Sequence, residues 1–472
     1  MRLAELDGRR VALWGLGREG RATLRAIRRV LPELPLTVLD DASPPPEAED
    51  VLTGDVRIVT GRDAVAGVLG DFDVVVKSPG ISLYRPEVEE AKRRGVHVTS
   101  ATRIWFAEHP DARAVCVTGT KGKSTTASLV VCLLRAAGVV AELRGNVGRP
   151  LLDPPEAAPD VWVVEVSSYQ AADLTAPSGG IGGESTADPS VAVLLNLYPE
   201  HLDWHGDVAT YYRDKLRLFA GQRRGVAVVN RADPASMGFS ETLRRPVWFN
   251  DPRGFHVAGG VVRDGERAVL SVARIALPGA HNHGNVCAAL TAVRCLYPEI
   301  EPASLVPAVE SFRGLPHRLM PLGERDGVLY VDDSISTTPQ STMAALATFA
   351  DRAVTVLVGG YERHLPYDEL ARDLVTRPVH AVVTLPPSGV RIAAAVRREL
   401  GASAGPPALI EAGDLAEAVA QARRVTPAGG VVLLSPAAPS YGAFRNFEER
   451  GDVFAREAGL GDRHDEPGRA PR

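Results

Sequence analysis

Cysteine, methionine and aromatic side chains are scarce in this chain, and each scarcity removes a class of explanation. Four cysteines occur in 472 residues. Cys116, Cys132, Cys287 and Cys295 stand singly in apolar segments with no C-x-x-C, so buried reduced thiols are expected rather than disulfides or zinc ligands. No apolar run reaches membrane-spanning length, because Arg135 interrupts the longest apolar helix, and the opening Met1 to Arg10 has no apolar leader core. A cytoplasmic protein without a membrane partner is the expectation. Positive charge is not in excess either: the net charge is -5, which gives no support for a nucleic-acid partner and leaves any phosphate site to be built locally. At 472 residues the chain has room for about three domains, on a prior of ~150 residues each.

What the chain does have is glycine in organised places. The β-branched run Ala114 to Thr118 reads as a buried strand, Gly119-Thr-Lys-Gly122 as a tight loop, and Ser124 to Arg135 as a helix. Gly119 and Gly122 let backbone N–H groups turn toward an anion, Lys123 adds a point charge, and the Ser124 hydroxyl can ligate a phosphate-bound magnesium. The competing reading is an ordinary glycine turn, which would need Gly-Lys-Ser to fall at this junction by chance. The loop is shorter than G-x-x-x-x-G-K-[ST], since Val117 stands at the first glycine position.

Before it, a strand at residues 10–14 runs into Gly15-Leu-Gly17-Arg-Glu-Gly20 and a helix, with Leu36 to Asp40 as the next strand. This G-x-G-x-x-G suggests a nicotinamide cofactor, yet such a turn accepts any phosphate or ribose, or is merely a tight turn. Strands at 56–59, 73–77 and 96–99 complete a doubly wound N-terminal sheet over residues 1–108. The second domain, 109–313, is expected to hold a central parallel sheet of the P-loop ATPase kind. Its strand from Val161 ends in Glu165, which sets a carboxylate at a sheet edge; Gly- and Ser-rich residues 176–189 read as a surface loop, and residues 247–276 as hairpins. Residues 314–460 alternate strand and helix as a C-terminal Rossmann-like domain, and 461–472 read as a disordered tail. The fold class is therefore α/β in three domains.

Together these pieces resemble the Mur ligases of peptidoglycan synthesis, and among them the group that adds glutamate to UDP-N-acetylmuramoyl-L-alanine. The resemblance runs from the first glycine turn to the end of the third domain. It is carried by Thr118 to Ser124, Gly145-Asn-Val-Gly-Arg-Pro150, Glu165-Val-Ser-Ser-Tyr-Gln170, His201-Leu-Asp203, Lys215-Leu-Arg217, His281-Asn-His-Gly-Asn285, Leu315-Pro-His-Arg318, Asp333-Ser334, Leu434-Ser-Pro-Ala437 and Phe444 to Gly451. It implies an ATP-dependent amide ligase using two magnesium ions. Gly119, Thr120, Lys121, Gly122, Lys123, Ser124 and Thr125 would hold ATP phosphates, and Asn282, Asn285, Arg318 and Asp333 the rest of the nucleotide.

By the same resemblance Ser124 and Glu165 would bind one magnesium and His201 and Lys215 would serve the other, with Lys215 carbamylated; on its helix alone Lys215 reads as an exposed lysine, and His201 as a hydrogen-bonded loop histidine. The first glycine loop would cradle UDP rather than NAD, through Leu16, Gly17, Arg18, Asp40, Ser78 and Gly80. Asn146, Ser167 and Gln170 would line the muramoyl-alanine end, and Thr337, Arg363, Ser440 and Phe447 the glutamate site. A monomer is expected.

Three departures stand out. Lys121 replaces a common Asn, Ile335 a common Lys, and Arg363 a common Lys. The Asp333-Ser-Ile-Ser-Thr-Thr338 pattern is similar to that of the family's L-glutamate-adding variant and favours L- over D-glutamate. A folate polyglutamate-type ligase, a nicotinamide dehydrogenase and a catalytically silent nucleotide-binding protein remain as rival readings.

Overall fold

The computed structural model describes residues 1–41, 52, 55–174, 187–239, 241, 243, 246–277, 279, 281–363, 365–401 and 405–461. The chain divides into two compact units, Met1–Phe312 and Arg313–Arg472. Of the expected surface loop at 176–189 only 187–189 lie within the described residues, and of the expected tail only Gly461.

The first unit contains two parallel sheets. In the N-terminal one, β1 (Val11–Trp14), β2 (Leu36–Asp40), β3 (Val56–Thr60), β4 (Val74–Lys77) and β5 (His97–Ser100) lie in the order β3-β2-β1-β4-β5. The second comprises β6 (Ala114–Thr118), β7 (Ala141–Gly145), β8 (Val161–Glu165), β9 (Val191–Leu194), β10 (Val226–Asn230) and β11 (Pro246–Phe249), ordered β11-β10-β9-β6-β8-β7. Strands such as β6, β8 and β9 are buried throughout. Helices cover both faces of such a sheet, which is why these strands read as continuous apolar runs without alternation. Of the stretch 247–276 expected as hairpins, β12 (Phe255–Ala258), β13 (Val261–Asp264) and β14 (Arg267–Ser271) do form an antiparallel three-stranded sheet, but Val247–Phe249 belong to β11, which pairs in parallel with β10 and extends the central sheet instead.

The order of strands fixes where ligands can sit. In doubly wound sheets the binding crevice opens beyond the carboxyl ends of the strands, where the winding direction reverses. In the first sheet that point lies between β1 and β4, so the loops at Gly15–Arg18 and Ser78–Gly80 face one crevice. In the second it lies at β6, flanked by β8 and β9. The phosphate loop, Glu165 and the segment from Asn196 therefore converge.

The two sheets of this unit share a core. Leu13, Leu24, Ile27, Ile104 and Trp105 from the first part belong to the same buried cluster as Cys116, Trp162, Leu194 and Leu218 from the second. Across the seam Lys77 Nζ lies 2.8 Å from Asp173 Oδ1, with both side chains buried. Burial pushes the Asp173 carboxyl above its ordinary range, while Lys77, Arg103 and Lys92 pull it down.

The second unit holds β15 (Met320–Arg325), β16 (Val328–Asp332), β17 (Val354–Gly359), β18 (Val379–Leu385), β19 (Ala408–Glu411) and β20 (Val431–Leu434), in the order β15-β16-β20-β17-β18-β19. All neighbours are parallel except β15, which runs antiparallel to β16 at the edge. The four cysteines are free thiols, Cys116 and Cys287 buried and the other two half-buried. Among the described residues no helix is long and apolar enough to cross a membrane.

Removing one partner of the Lys77–Asp173 pair strands a charge in the seam. Asp173→Ala is expected to lower the stability of this unit by ~3–5 kcal/mol in urea unfolding, and the double variant Lys77→Met, Asp173→Leu by clearly less. Equal losses in the two would show that the pair carries no such penalty.

Candidate active site

The phosphate loop is built from strand β6 outward. Gly119 and Gly122 take φ of 149° and 84°, and a Cβ on Gly122 would meet Asn285 Oδ1 at 2.6 Å, so only glycine lets the loop press against the His281–Leu296 helix. Asn285 Nδ2 donates to Asn282 Oδ1 at 2.8 Å, which brings both asparagines beside the loop.

Asn196, just past β9, shapes the loop from the other side. Its Oδ1 accepts from the backbone N–H groups of Thr120 (3.1 Å) and Lys121 (2.8 Å), and its Nδ2 donates to the Lys121 carbonyl. The Thr120 hydroxyl reaches the Tyr198 carbonyl and the Tyr211 hydroxyl. Lys123 Nζ donates to Thr120 O at 3.0 Å, Ser124 is buried in the first turn of the helix, and Thr125 follows it. Lys121, the departure noted above, pairs with Glu200 Oε1 at 2.6 Å.

Glu165, His201 and Lys215 surround this loop. Glu165 is buried at the end of β8; its Oε1 accepts from Asn146 Nδ2 at 2.8 Å, and its Oε2 is a buried oxygen with no hydrogen-bond partner. His201 caps the Leu202–His205 turn in a left-handed conformation, φ 57°. Burial lowers its pKa, opposed by Glu200 and reinforced by Lys215 and Lys123, which favours the neutral imidazole that metals bind.

Lys215 is not the exposed helix lysine of the simplest reading: it is 1% exposed and donates to Gly119 O at 2.8 Å. Burial first, then Lys123, hold its pKa well below the ordinary lysine range. The side chain sits 5.0 Å from the centroid of the Tyr211 ring.

An orphaned, buried carboxylate oxygen such as Glu165 Oε2 suits a hard, oxygen-seeking cation. Among the described residues no group of three or more His, Cys, Asp or Glu could hold a metal by itself.

At the first sheet, Leu16 N–H donates to Asp40 Oδ2 at 3.0 Å, and Gly17 caps the Arg18–Val30 helix. Ser78 Oγ donates to Gly15 O, so the two loops of the crevice are joined. Arg18 reaches across to the carbonyls of Gly148 (3.0 Å), Gly145 (2.8 Å) and Asn146 (2.9 Å). Gly80 O accepts from the Trp204 indole. Ser167 and Gln170 form a reciprocal capping box at the start of the Ser168–Ala172 helix, a structural role on top of any binding one.

In the second unit, Asp333 Oδ1 accepts from Leu319 N–H and Oδ2 from Ser435 Oγ, and burial pushes its carboxyl up to about 6. Arg318 stands just before Leu319, in the segment leading to β15. Thr337, Arg363 and Ser440 come from loops beyond β16, β17 and β20, which are adjacent strands. Phe447 opens the Phe447–Glu457 helix, and its carbonyl accepts from Ser334 Oγ. The Tyr361 N–H donates to Pro439 O at 2.9 Å, drawing the second and third of these loops together. Arg363 is exposed, Ser440 buried.

Sequence reasoning missed Asn196, Glu19 and the pair His205–Asp214. Glu19 lies inside the first glycine motif. Its Oε1 accepts from Gln170 Nε2 at 3.3 Å, and its Oε2 is buried without a partner.

Glycine-rich loops at the reversal points of doubly wound sheets, with a lysine, a serine and a carboxylate bearing one unpartnered oxygen near one of them, are the arrangement of enzymes that work on nucleotide phosphates. Comparison with known proteins narrows the class. Residues 9–100 match the MurD-like N-terminal domain, 117–293 the Mur ligase middle domain and 317–438 the Mur ligase glutamate ligase domain.

A UDP-N-acetylmuramoyl-L-alanine–L-glutamate ligase of Xanthomonas axonopodis pv. citri is 46% identical over 98% of this chain and 97% of the relative. One of Salinispora tropica is 44% identical over 97% and 98%. Among solved structures, the UDP-N-acetylmuramate–alanine ligase MurC of Thermotoga maritima has a TM-score of 0.54 at 16% identity, covering 96% of this chain and 99% of that one. The MurF ligase of Thermotoga maritima in complex with ADP has a TM-score of 0.52 at 16% identity, with 96% of each chain covered.

The chain belongs to the Mur ligase family: it is an ATP-dependent ligase with the three-domain Mur fold. The dehydrogenase reading of Gly15–Gly20 falls, since that motif lies inside the MurD-like domain.

Burial raises the Glu19 pKa to about 7 from 4.5, with Arg18 opposing and Asp153 and Asp173 adding to the rise. Between those values the folded state holds a proton that the unfolded state has lost, so Glu19 makes stability fall as pH rises from about 4.5 to about 7. Glu19→Gln is expected to raise the unfolding temperature at pH 8 more than at pH 4.5; an equal change at both would contradict this.

Proposed function

We propose that this enzyme joins glutamate to UDP-N-acetylmuramoyl-L-alanine in the cytoplasm, and that its amino acid is L-glutamate. The observation that carries the substrate pair is near-full-length identity of 46% to ligases named for that reaction. The preference for the L form is supported by those names and by Ile335 and Arg363, which stand where lysines are common in D-glutamate enzymes. An arginine fork grips a carboxylate in a plane, whereas an ammonium acts as a point charge, so the exchange alters how the amino acid is presented.

Amide formation from a carboxylate is uphill in water. The alanyl carboxylate takes the γ-phosphoryl of ATP, ADP leaves, and the glutamate amine then displaces phosphate from the acyl phosphate. Each reacting group is an anion approaching an anion. Lys123 and the N-terminus of the Lys123–Ala136 helix supply preorganised positive charge, and removing one such donor typically costs ~10²–10³ in rate. Leu16, Gly17, Arg18, Asp40, Ser78 and Gly80 hold the UDP end, and Asn146, Ser167 and Gln170 the muramoyl-alanine end. Asn282, Asn285, Arg318 and Asp333 serve the nucleoside and its phosphates. Thr337, Arg363, Ser440 and Phe447 receive glutamate.

Ser124 and Glu165 would hold one magnesium ion and His201 with Lys215 a second; bound there, the ions would screen phosphate and carboxylate charge. An ammonium has no lone pair to offer a metal. The depressed pKa of Lys215 supports a different state: its neutral amine adds to carbon dioxide and loses a proton, leaving an anionic carbamate. Intact mass spectrometry after gentle handling in bicarbonate is expected to show this adduct, and its absence in wild type under conditions of full activity would rule the modification out.

Purified enzyme, ATP and UDP-N-acetylmuramoyl-L-alanine offered each glutamate enantiomer should release phosphate with L-glutamate and at most ~1% of that rate with D-glutamate. Turnover with D-glutamate alone would overturn the assignment of hand, and turnover with neither would overturn the substrate pair. Lys123→Ala and Lys215→Ala are each expected to lower kcat by ~10²-fold or more.

A further inference from the structure

Four side chains that none of these roles uses, three of them buried and the fourth, Tyr84, half-buried, form one continuous chain. His205 Nδ1 lies 2.6 Å from Asp214 Oδ2, and His205 Nε2 lies 3.0 Å from Ser168 Oγ. A carboxylate only accepts, so Nδ1 carries a proton, and in the neutral ring Nε2 accepts from the serine. The Tyr84 hydroxyl reaches both Asp214 oxygens, at 2.8 and 2.9 Å, and Arg217 lies 3.2 Å from Oδ1. The side chains of His205 and Asp214 are 0% exposed.

The order Ser–His–Asp is that of a hydrolytic triad, but Ser168 is 2% exposed and opens a helix whose first turn is packed away. No substrate carbonyl reaches its oxygen. The chain holds rather than attacks.

What it holds is specific. Asp214 immediately precedes Lys215 on the Val208–Ala220 helix. His205 ends the turn that His201 begins. Ser168 stands three positions beyond Glu165 at the carboxyl end of β8. Tyr84 belongs to the segment after β4 that carries Ser78 and Gly80, and that segment is further tied to the turn by Ser82 Oγ to Trp204 O (2.7 Å) and by Trp204 Nε1 to Pro79 O (3.2 Å).

We propose that Tyr84, Asp214, His205 and Ser168 form a positioning relay, which sets the placement of Glu165, His201 and Lys215 against one another and against the sugar-nucleotide loop of the first sheet. It rests on the roles proposed above for those three residues. A buried carboxylate stays where its donors are, and loss of one donor lets it, and the helix bearing Lys215, shift. Displacements of about 1 Å at reacting groups can cost ~10²-fold in rate.

The test uses the full-length enzyme and compares kcat, the KM values for ATP and sugar nucleotide, the magnesium concentration for half-maximal rate, and the unfolding temperature. In Asp214→Asn and Tyr84→Phe, kcat should fall ~10–100-fold with KM values changed less than ~3-fold, and the magnesium midpoint should rise several-fold. His205→Asn, which keeps a donor near the Nδ1 position, should retain more kcat than His205→Ala. Should Asp214→Asn fail to fold, Tyr84→Phe, which removes one hydroxyl, decides the matter.

A wild-type kcat and magnesium midpoint in folded Tyr84→Phe would overturn the relay. So would a loss of rate that follows the unfolding temperature while the magnesium midpoint stays put. Lys215→Ala and Glu165→Gln serve as controls: if they keep full speed, the site assignment itself fails, and if they are inactive while the relay variants are normal, only the relay fails.

Discussion

The hydrogen bond from the Lys215 amine to the Gly119 carbonyl is the contact on which the central site depends. It joins the first residue of the phosphate loop to a helix that is otherwise remote in sequence, and it does so in a place sealed from water. An ammonium buried there beside Lys123 would face a large desolvation cost, so the site drives the lysine toward its neutral form. The same burial that makes the lysine unusual leaves Glu165 Oε2 without a donor. The two groups are thus held in states that suit anionic and cationic ligands and would be wasteful in a purely structural core.

Around this point the polar groups are satisfied in pairs, each pair spanning different strands of the sheet. Asn196 after β9 fixes the loop after β6, and Asn146 after β7 meets Glu165 at the end of β8. Because all these strands are parallel, their carboxyl ends lie on one edge, and short loops from four of them can crowd into a small volume. The first sheet repeats the principle with Gly15 and Ser78, and the second unit with Asp333, Ser435 and the loops beside them. One geometric rule accounts for three separate clusters of loops at the carboxyl edges of sheets.

The sequence made much of this legible where chemistry and local order coincide. Gly119 to Ser124 could be placed because a strand must precede it and a helix must follow, and Glu165 because it ends an apolar run. Short or half-exposed elements escaped: β7, β15 and β19 carry mixed burial, and none shows a clean period. Lys215 has no local signature, since a lysine on an amphipathic helix is ordinarily solvated; only the resemblance pointed to it. Asn196, His205, Asp214 and Glu19 were invisible for another reason. Their importance lies in partners 75, 37, 130 and 151 positions away, and no window along the chain contains both ends of such contacts.

The common core of the first two sheets has a consequence for substrate length. With Leu13, Ile104, Trp105, Trp162 and Leu218 in one packed cluster and Arg18 stitched to Gly145 and Gly148, the crevice at β1 and the loop after β6 are held on a common core. The pair of sheets acts as a gauge. On the proposed assignment, a sugar nucleotide seated at one end would deliver its free carboxylate to the other only with the right reach between them, so one amino acid too many or too few would be rejected by distance before any side chain inspects it.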